Sequence, residues 1–379
     1  MTEAMETGLK PLSLYVHWPF CLSKCPYCDF NSHVSEEAID HGRWRDALLS
    51  EMAHFASETK NRALSSIFFG GGTPSLMQPD TVAAIISEAK RHWSVADIEI
   101  TAEANPTSVE ADKLEAFRDA GINRLSLGVQ SFDDNALKYL GREHSSDDAT
   151  NAISLAKRLF PAFSFDLIYA RAEQTADDWQ AELEQAFSFE PPHISLYQLS
   201  IEPGTPFHKR NVEVPENNAA ARLFELTQTL SEAAGLPAYE ISNHARPGYE
   251  CRHNLGIWDG QDYIGIGPGA HGRLGDADDA TDAIYQIHDP ARWLSAIDEK
   301  GHATAKRQRL SPRERLEERV MTGLRTSVGI GPKLTQFING ELLAEMIQGG
   351  FLAWADGKLS ATPTGRLVLD AVIHRLLSD

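Results

Sequence analysis

Six short apolar runs divide the first part of the chain: Leu12–Val16, Ser66–Phe69, Ile98–Ala102, Arg124–Gly128, Phe163–Ile168 and His193–Leu199. Helix-like segments separate them, over Ala38–Phe55, Asp80–His92, Ser108–Ala120, Asn135–Leu140 with Asp147–Leu159, and Asp177–Phe187. Strands that alternate with helices are joined by right-handed crossovers and pair in parallel. Glycine, proline and polar residues collect at the C-terminal ends of the runs, as in Gly70-Gly71-Gly72-Thr73-Pro74-Ser75, Glu103-Ala104-Asn105-Pro106 and Val129-Gln130-Ser131. Parallel α/β folds carry their chemistry at that edge. The count fits a six-stranded open barrel, and the pattern alone also permits a doubly wound sheet.

The first run leads into Tyr15-Val16-His17-Trp18-Pro19-Phe20-Cys21-Leu22-Ser23-Lys24-Cys25-Pro26-Tyr27-Cys28-Asp29-Phe30, which holds three of the four cysteines at C-x3-C-x2-C spacing. Three thiolates this close suit a soft metal, above all iron in an iron–sulfur cluster. A [4Fe–4S] cube held by three cysteines has one iron free to bind a small chelating ligand. Zinc is the alternative, with His17 or His33 closing a tetrahedron. Three buried, unliganded cysteines is the bland reading.

The spacing resembles the radical S-adenosylmethionine (radical SAM) superfamily. Tyr15-x-His17-x-Pro19-Phe20-Cys21 and Cys28-x-Phe30 narrow the resemblance to the group that contains the oxygen-independent coproporphyrinogen III oxidases and the HemW-type haem chaperones. It implies a partial (β/α)6 barrel and a [4Fe–4S] cluster on Cys21, Cys25 and Cys28. S-adenosylmethionine would chelate the fourth iron and be cleaved to a 5′-deoxyadenosyl radical. By the same resemblance Gly71, Gly72 and Thr73 bind its methionyl end, and Tyr15, Tyr27, Glu103, Gln130, Arg142 and Asp166 complete its site. Arg124-Leu125-Ser126-Leu127-Gly128-Val129-Gln130-Ser131-Phe132 is the longest matching stretch. One departure stands out. The family continues Asp-Leu-Ile-Tyr with Gly-Leu-Pro-Gly-Gln-Thr, whereas here Asp166-Leu167-Ile168-Tyr169 is followed by Ala170-Arg171-Ala172-Glu173-Gln174-Thr175.

Further on, His253-Asn254-Leu255-Gly256-Ile257-Trp258 resembles the His-Asn-x-x-Tyr-Trp haem motif of the chaperones, with Ile257 at the tyrosine position. The resemblance implies haem on His253, because imidazole is a common axial ligand. A structural histidine in a loop is the competing reading. His17, His193, His244 and His271 are scattered over strand ends and loops; His271, after the run Gly265-x-Gly267-x-Gly269-Ala270, has no role assigned by the sequence. The stretch Gly275–Ala283 is acidic and rich in turn residues and reads as surface loop.

From Lys306 onward the chain holds eleven Lys and Arg against eight Asp and Glu, within a chain of net charge −19. Helical patterns over Arg313–Arg325, Leu334–Gln348 and Arg366–Leu377, and a hairpin turning at Asp356-Gly357, suggest a winged-helix-like module over 305–379, after a barrel with its haem-motif extension over 1–304. The overall acidity argues against a general binder of nucleic acid or anionic membrane. The N-terminal stretch is not a signal peptide, and no run reaches membrane-spanning length. Clustered cysteines fit a reducing compartment, read here as the cytoplasm.

Three functions compete. A haem chaperone would bind haem and pass it to a recipient haemoprotein, meeting a membrane only through that recipient; the sequence leaves open whether it catalyses a reaction. A coproporphyrinogen III oxidase would decarboxylate propionates, but only about twenty residues precede Cys21, and Phe30 stands where the oxidases resemble Cys-x3-Cys-x2-Cys-x-Cys. A DNA-binding cluster sensor would use the C-terminal module, which lacks a dense Lys/Arg recognition helix.

Overall fold

The computed structural model describes residues 8–35, 37–107, 113–275 and 280–378. The strands in chain order are β1 (Lys10–Trp18), β2 (Phe20–Cys21), β3 (His33–Val34), β4 (Arg62–Gly71), β5 (Glu99–Ala104), β6 (Arg124–Gln130), β7 (Ala162–Tyr169), β8 (His193–Gln198), β9 (Asn243–Ala245), β10 (Tyr263–Ile266), β11 (His271–Gly275), β12 (Thr281–Gln286), β13 (Thr304–Arg309), β14 (Leu352–Ala355) and β15 (Lys358–Ala361). Eleven of them form one sheet in the order β13-β12-β11-β10-β1-β4-β5-β6-β7-β8-β9. The six expected strands, β1 and β4 to β8, are mutually parallel and lie side by side in chain order. β10 adds a seventh parallel strand beside β1, while β9 and β11 to β13 pair antiparallel.

Side chains alternate between the two faces of each strand. On one face Leu12, Leu14, Val16, Ile67, Phe69, Ile100, Leu125, Leu127, Phe165, Leu167 and Leu196 join the main core with the surrounding helices. The other face is polar and lines the barrel interior: Ser13 and Tyr15 of β1, Ser66 of β4, Glu99 and Glu103 of β5, Ser126 and Gln130 of β6, Asp166 of β7 and Ser195 of β8. Fully buried parallel strands commonly read as continuous apolar runs. Here a polar interior restores the alternation, and that interior is where the functional groups reside.

One expectation is corrected. The stretch Gly275–Ala283 is not wholly surface loop. Its middle lies outside the described residues, but Thr281–Ala283 belongs to buried β12, where Asp282 binds Arg307 and Arg309 of β13 through their Nε atoms. Acidic composition hid a strand whose charge is paired across the ladder. For the same reason the boundary at 304/305 falls inside β13, which completes the barrel sheet. The helix expected over Ser108–Ala120 is described only as Leu114–Asp119, because 108–112 lie outside the described residues.

The C-terminal module has its own core, with Val320, Leu324, Ile330, Leu352, Leu359, Val372 and Ile373. Its β14–β15 hairpin turns at Asp356 (φ 49°) and Gly357 (φ 75°), the pair of positive φ angles that a tight two-residue hairpin turn requires. Arg315 donates to the Gly260 carbonyl at 2.6 Å, and Arg366 to that of Glu240 at 2.6 Å, fixing the module to the barrel. No helix among the described residues is long and apolar enough to cross a membrane.

Candidate functional site

A cavity of about 430 Å³ opens at the C-terminal edge of the parallel strands. Its wall includes Cys21, Cys25 and Cys28, together with Tyr27, Gly71, Gly72, Thr73, Glu103, Gln130, Arg142 and Asp166. Residues from six separate stretches of sequence thus meet in one chamber. Tyr15 lies just beneath it, its hydroxyl 3.0 Å from His17 Nδ1.

The cysteine loop leaves β1 at Trp18 and is tied down by backbone. Gly72 N–H donates to the Trp18 carbonyl at 2.7 Å and Thr73 N–H to that of Phe20 at 2.8 Å. Glycine is required here by proximity: a Cβ on Gly72 would lie 2.7 Å from the Phe20 carbonyl oxygen, and one on Gly71 (φ 115°) 2.6 Å from the His17 ring. Cys28 N–H donates to the Cys25 carbonyl at 3.1 Å. Burial pushes the Cys21 and Cys28 thiols above their ordinary value, with hydrogen bonds from Thr73 and Ser32 opposing it in part.

These residues suit a cluster better than one zinc ion. His17 is spent, with Nε2 on the Asn31 carbonyl at 2.9 Å and Nδ1 on Tyr15. His33 Nε2 sits 3.0 Å from Asn31 Oδ1. Among the described residues no three His, Cys, Asp or Glu side chains gather round a point that a single ion could occupy, as a closed zinc site demands. Three thiols spread along a chamber wall, with room beside them, match the donor set of a cube with one iron left to an outside ligand.

Two half-buried carboxyls share the chamber wall with the thiols. Burial, and secondarily the neighbouring Asp166, push Glu103 up to about 8, despite a 3.2 Å bond from Gly71 N–H. Burial also pushes Asp166 up to about 6, opposed by hydrogen bonds from Ser195 and Ser126 and by Arg142. A pair of this kind welcomes a cationic group, whose charge would let both ionise. Gln130 ends β6 with φ 71°, a strained backbone at the chamber wall.

The loop that lacks the expected glycines keeps left-handed backbone where they would stand. Ala170 has φ 57° and Glu173 φ 63°. The buried ion pair between Arg171 and Glu182 holds it, at 2.8 Å, with Arg171 also donating to the Ile168 carbonyl at 2.8 Å. Glu182 further accepts from Ser131 Oγ and from Phe132 N–H at 3.0 Å, next to Gln130. An ion pair has taken over from glycine in shaping this turn.

His253 does not line the chamber. It is 3% exposed, stacked on Phe68 at 5.0 Å, with Nδ1 2.9 Å from Ser66 Oγ. Glu99 accepts from the Arg252 and His253 backbone N–H groups at 3.1 and 3.0 Å, holding the start of the Arg252–Trp258 helix inside the barrel. Cys251 is buried beside Glu99 and has no part in the chamber. The His253 ring lies beneath Tyr15 at 6.4 Å, one layer below the chamber wall. Asn105 and Tyr197 were not singled out from the sequence. Asn105 accepts from Arg142 and donates to Thr73 Oγ1 at 3.2 Å, and its place in Glu103-Ala104-Asn105-Pro106 at a strand end was the available signal.

The radical SAM superfamily model matches residues 15–186, and the HemN C-terminal domain model matches residues 310–368. The heme chaperone HemW of Escherichia coli is 43% identical over 70% of this chain and 71% of its own length. A zebrafish (Danio rerio) relative, radical S-adenosyl methionine domain-containing protein 1, mitochondrial, is 36% identical over 97% of this chain and 87% of its own. The solved structure of E. coli coproporphyrinogen III oxidase (HemN), described as a radical SAM enzyme, superposes with a TM-score of 0.83 at 22% identity, covering 98% of this chain and 91% of that one. At that identity the likeness speaks for the fold.

Proposed function

The chain belongs to the radical SAM superfamily, in the group of the HemW-like proteins, and we propose that it is a haem carrier that uses a [4Fe–4S] cluster and S-adenosylmethionine to deliver haem to a recipient haemoprotein. The observation that carries the reading is the shared chamber: three thiols, a glycine cradle and two raised carboxyls face one another across a space sized for a small ligand. Cys21, Cys25 and Cys28 would hold the cluster. When bound, the cluster supplies one electron to the sulfonium of S-adenosylmethionine. Gly71, Gly72 and Thr73, which line the chamber, would meet the methionyl end, and Glu103 and Asp166 would accept from its amine or from ribose hydroxyls. Arg142 braces Cys25 against β6, and Tyr27 closes the wall. The carrier reading draws on the chaperone likeness, and on Phe30, which is 58% exposed where an additional cysteine would stand. Thiols kept free to hold a cluster would suit a reducing compartment such as the cytoplasm.

An anaerobic pair of assays tests this. The cluster-loaded protein is titrated with haem, and separately incubated with coproporphyrinogen III, S-adenosylmethionine and a reductant. A carrier binds about one haem per chain and forms no decarboxylated product. Protoporphyrinogen formation without haem binding would make it an oxidase instead.

A further inference from the structure

His271 opens β11 and is exposed, next to the cysteine loop yet outside the chamber. In register it faces Tyr285 of β12, which faces Lys306 of β13. Strand alternation therefore sets His271, Arg273, Tyr285 and Lys306 on one face. The His271 ring meets Tyr285 edge-on at 4.7 Å. The Arg273 guanidinium and Lys306 Nζ lie 5.9 and 5.8 Å from the Tyr285 ring centre. His288, also exposed, has its ring 6.4 Å from that of His271. Asn31, three residues after Cys28, donates to the Pro268 and His288 carbonyls at 2.9 Å each, so this face adjoins the cluster loop.

We propose that this face of β11–β13 is the haem-docking surface, with His271 as the axial iron ligand. This rests on the carrier reading. Tyr285 would lie against the macrocycle, Lys306 and Arg273 would meet the propionates, and His288 is the neighbouring imidazole. The chemistry matches haem in each part: an accessible imidazole for iron, an aromatic surface for a flat ring, and cations for two carboxylates. His253 offers none of this access, since its ring is buried, stacked and bonded to Ser66. Partial burial, with Arg273 and His288 nearby, holds His271 below the ordinary histidine value, which leaves its nitrogen lone pair available at neutral pH. Arg273 is fixed by Glu318 at 2.8 Å, whereas Lys306 is exposed and can follow the ligand. An open surface also suits a cargo that has to leave.

The test is an anaerobic haem titration, read at the Soret band, of cluster-loaded full-length protein. Wild type is compared with His271→Ala, His271→Ala/His288→Ala, Lys306→Glu and His253→Ala, each checked for native far-ultraviolet dichroism and cluster absorbance. Wild type saturates at one haem. His271→Ala weakens binding at least about tenfold and shifts the Soret maximum, the scale expected for losing a metal contact. Lys306→Glu weakens binding without moving the maximum, and folded His253→Ala binds as wild type. If both His271 variants bind as wild type, or if His253→Ala alone abolishes binding, the surface is wrong while the carrier reading stands. If wild type binds no haem, the carrier reading falls and takes this surface with it.

Discussion

Arg142 Nη1 donates to the Sγ of Cys25 at 3.3 Å, joining the cysteine loop to a residue just after β6 and 117 positions further along the chain. The same guanidinium donates to the Gly128 carbonyl at 2.9 Å and to Asn105. One planar fork therefore connects the cluster-bearing loop with the ends of two parallel strands. Lysine cannot reproduce that fork. Arg142→Lys should fold but keep less cluster after anaerobic reconstitution, and Arg142→Ala should keep still less. Iron and sulfide per chain are the readout, and the reduction potential of what remains in Arg142→Ala should become more negative as a positive charge leaves the thiolates.

If Glu103 takes part in binding S-adenosylmethionine as proposed, that binding is pH-dependent. Its raised value, about 8 against an ordinary 4.5, means that it holds a proton at neutral pH until a cation arrives. Affinity for S-adenosylmethionine should rise as pH rises from about 6, where Asp166 is half-ionised, towards 8. Glu103→Gln should weaken binding by about 10- to 100-fold, the scale of one hydrogen bond to a charged group, and flatten the upper part of that rise. Stability of the ligand-free protein moves the other way. The folded state binds this proton more tightly than the unfolded chain does, so stability falls as pH rises from 4.5 to 8. Glu103→Gln should remove the Glu103 share of that decline in denaturant titrations, above all between about pH 6 and 8, where Asp166 is already ionised.

The Arg171–Glu182 pair carries the loop that lacks glycine. Arg171→Ala leaves Glu182 buried with only neutral donors and should cost about 3–5 kcal/mol in urea unfolding. Glu173→Gly should act in the opposite sense. Glu173 is exposed with φ 63°, so glycine relieves a left-handed backbone at the loss of few contacts. A gain of up to about 1 kcal/mol is expected. If Glu173→Gly is instead as destabilising as Arg171→Ala, the strain assignment is wrong.

Gly72→Ala pushes a methyl to 2.7 Å from the Phe20 carbonyl, against backbone rather than a movable side chain. The strand ahead of Cys21 must shift. Cluster content should drop sharply, while the C-terminal module, with its separate core, keeps its fold. Limited proteolysis alongside iron analysis distinguishes that local loss from global unfolding.

The parallel barrel was legible because each strand ends in punctuation that physics needs there, and the chamber because its residues sit at those ends. β9 to β13 were missed for an equally physical reason. β9 has three residues, β11 carries two glycines, and β12 and β13 trade charge across the ladder instead of alternating cleanly. His253 shows the limit of a motif. The residues around it resemble a haem ligand sequence, yet Glu99, which no local pattern connects to it, draws the start of its helix into the barrel. Arg171 is a further case. It reads as a polar loop residue, and only the fold brings Glu182 to it, from the helix after the loop.

The most direct test of the chamber as a cluster and S-adenosylmethionine site is electron paramagnetic resonance of the anaerobically reconstituted, reduced protein, with and without S-adenosylmethionine. The chamber predicts a [4Fe–4S] signal that S-adenosylmethionine perturbs, and that is lost in Cys21→Ala, Cys25→Ala and Cys28→Ala. A signal that ignores S-adenosylmethionine, or survives all three substitutions, would contradict a chamber in which Cys21, Cys25 and Cys28 hold the cluster and the remaining wall holds S-adenosylmethionine.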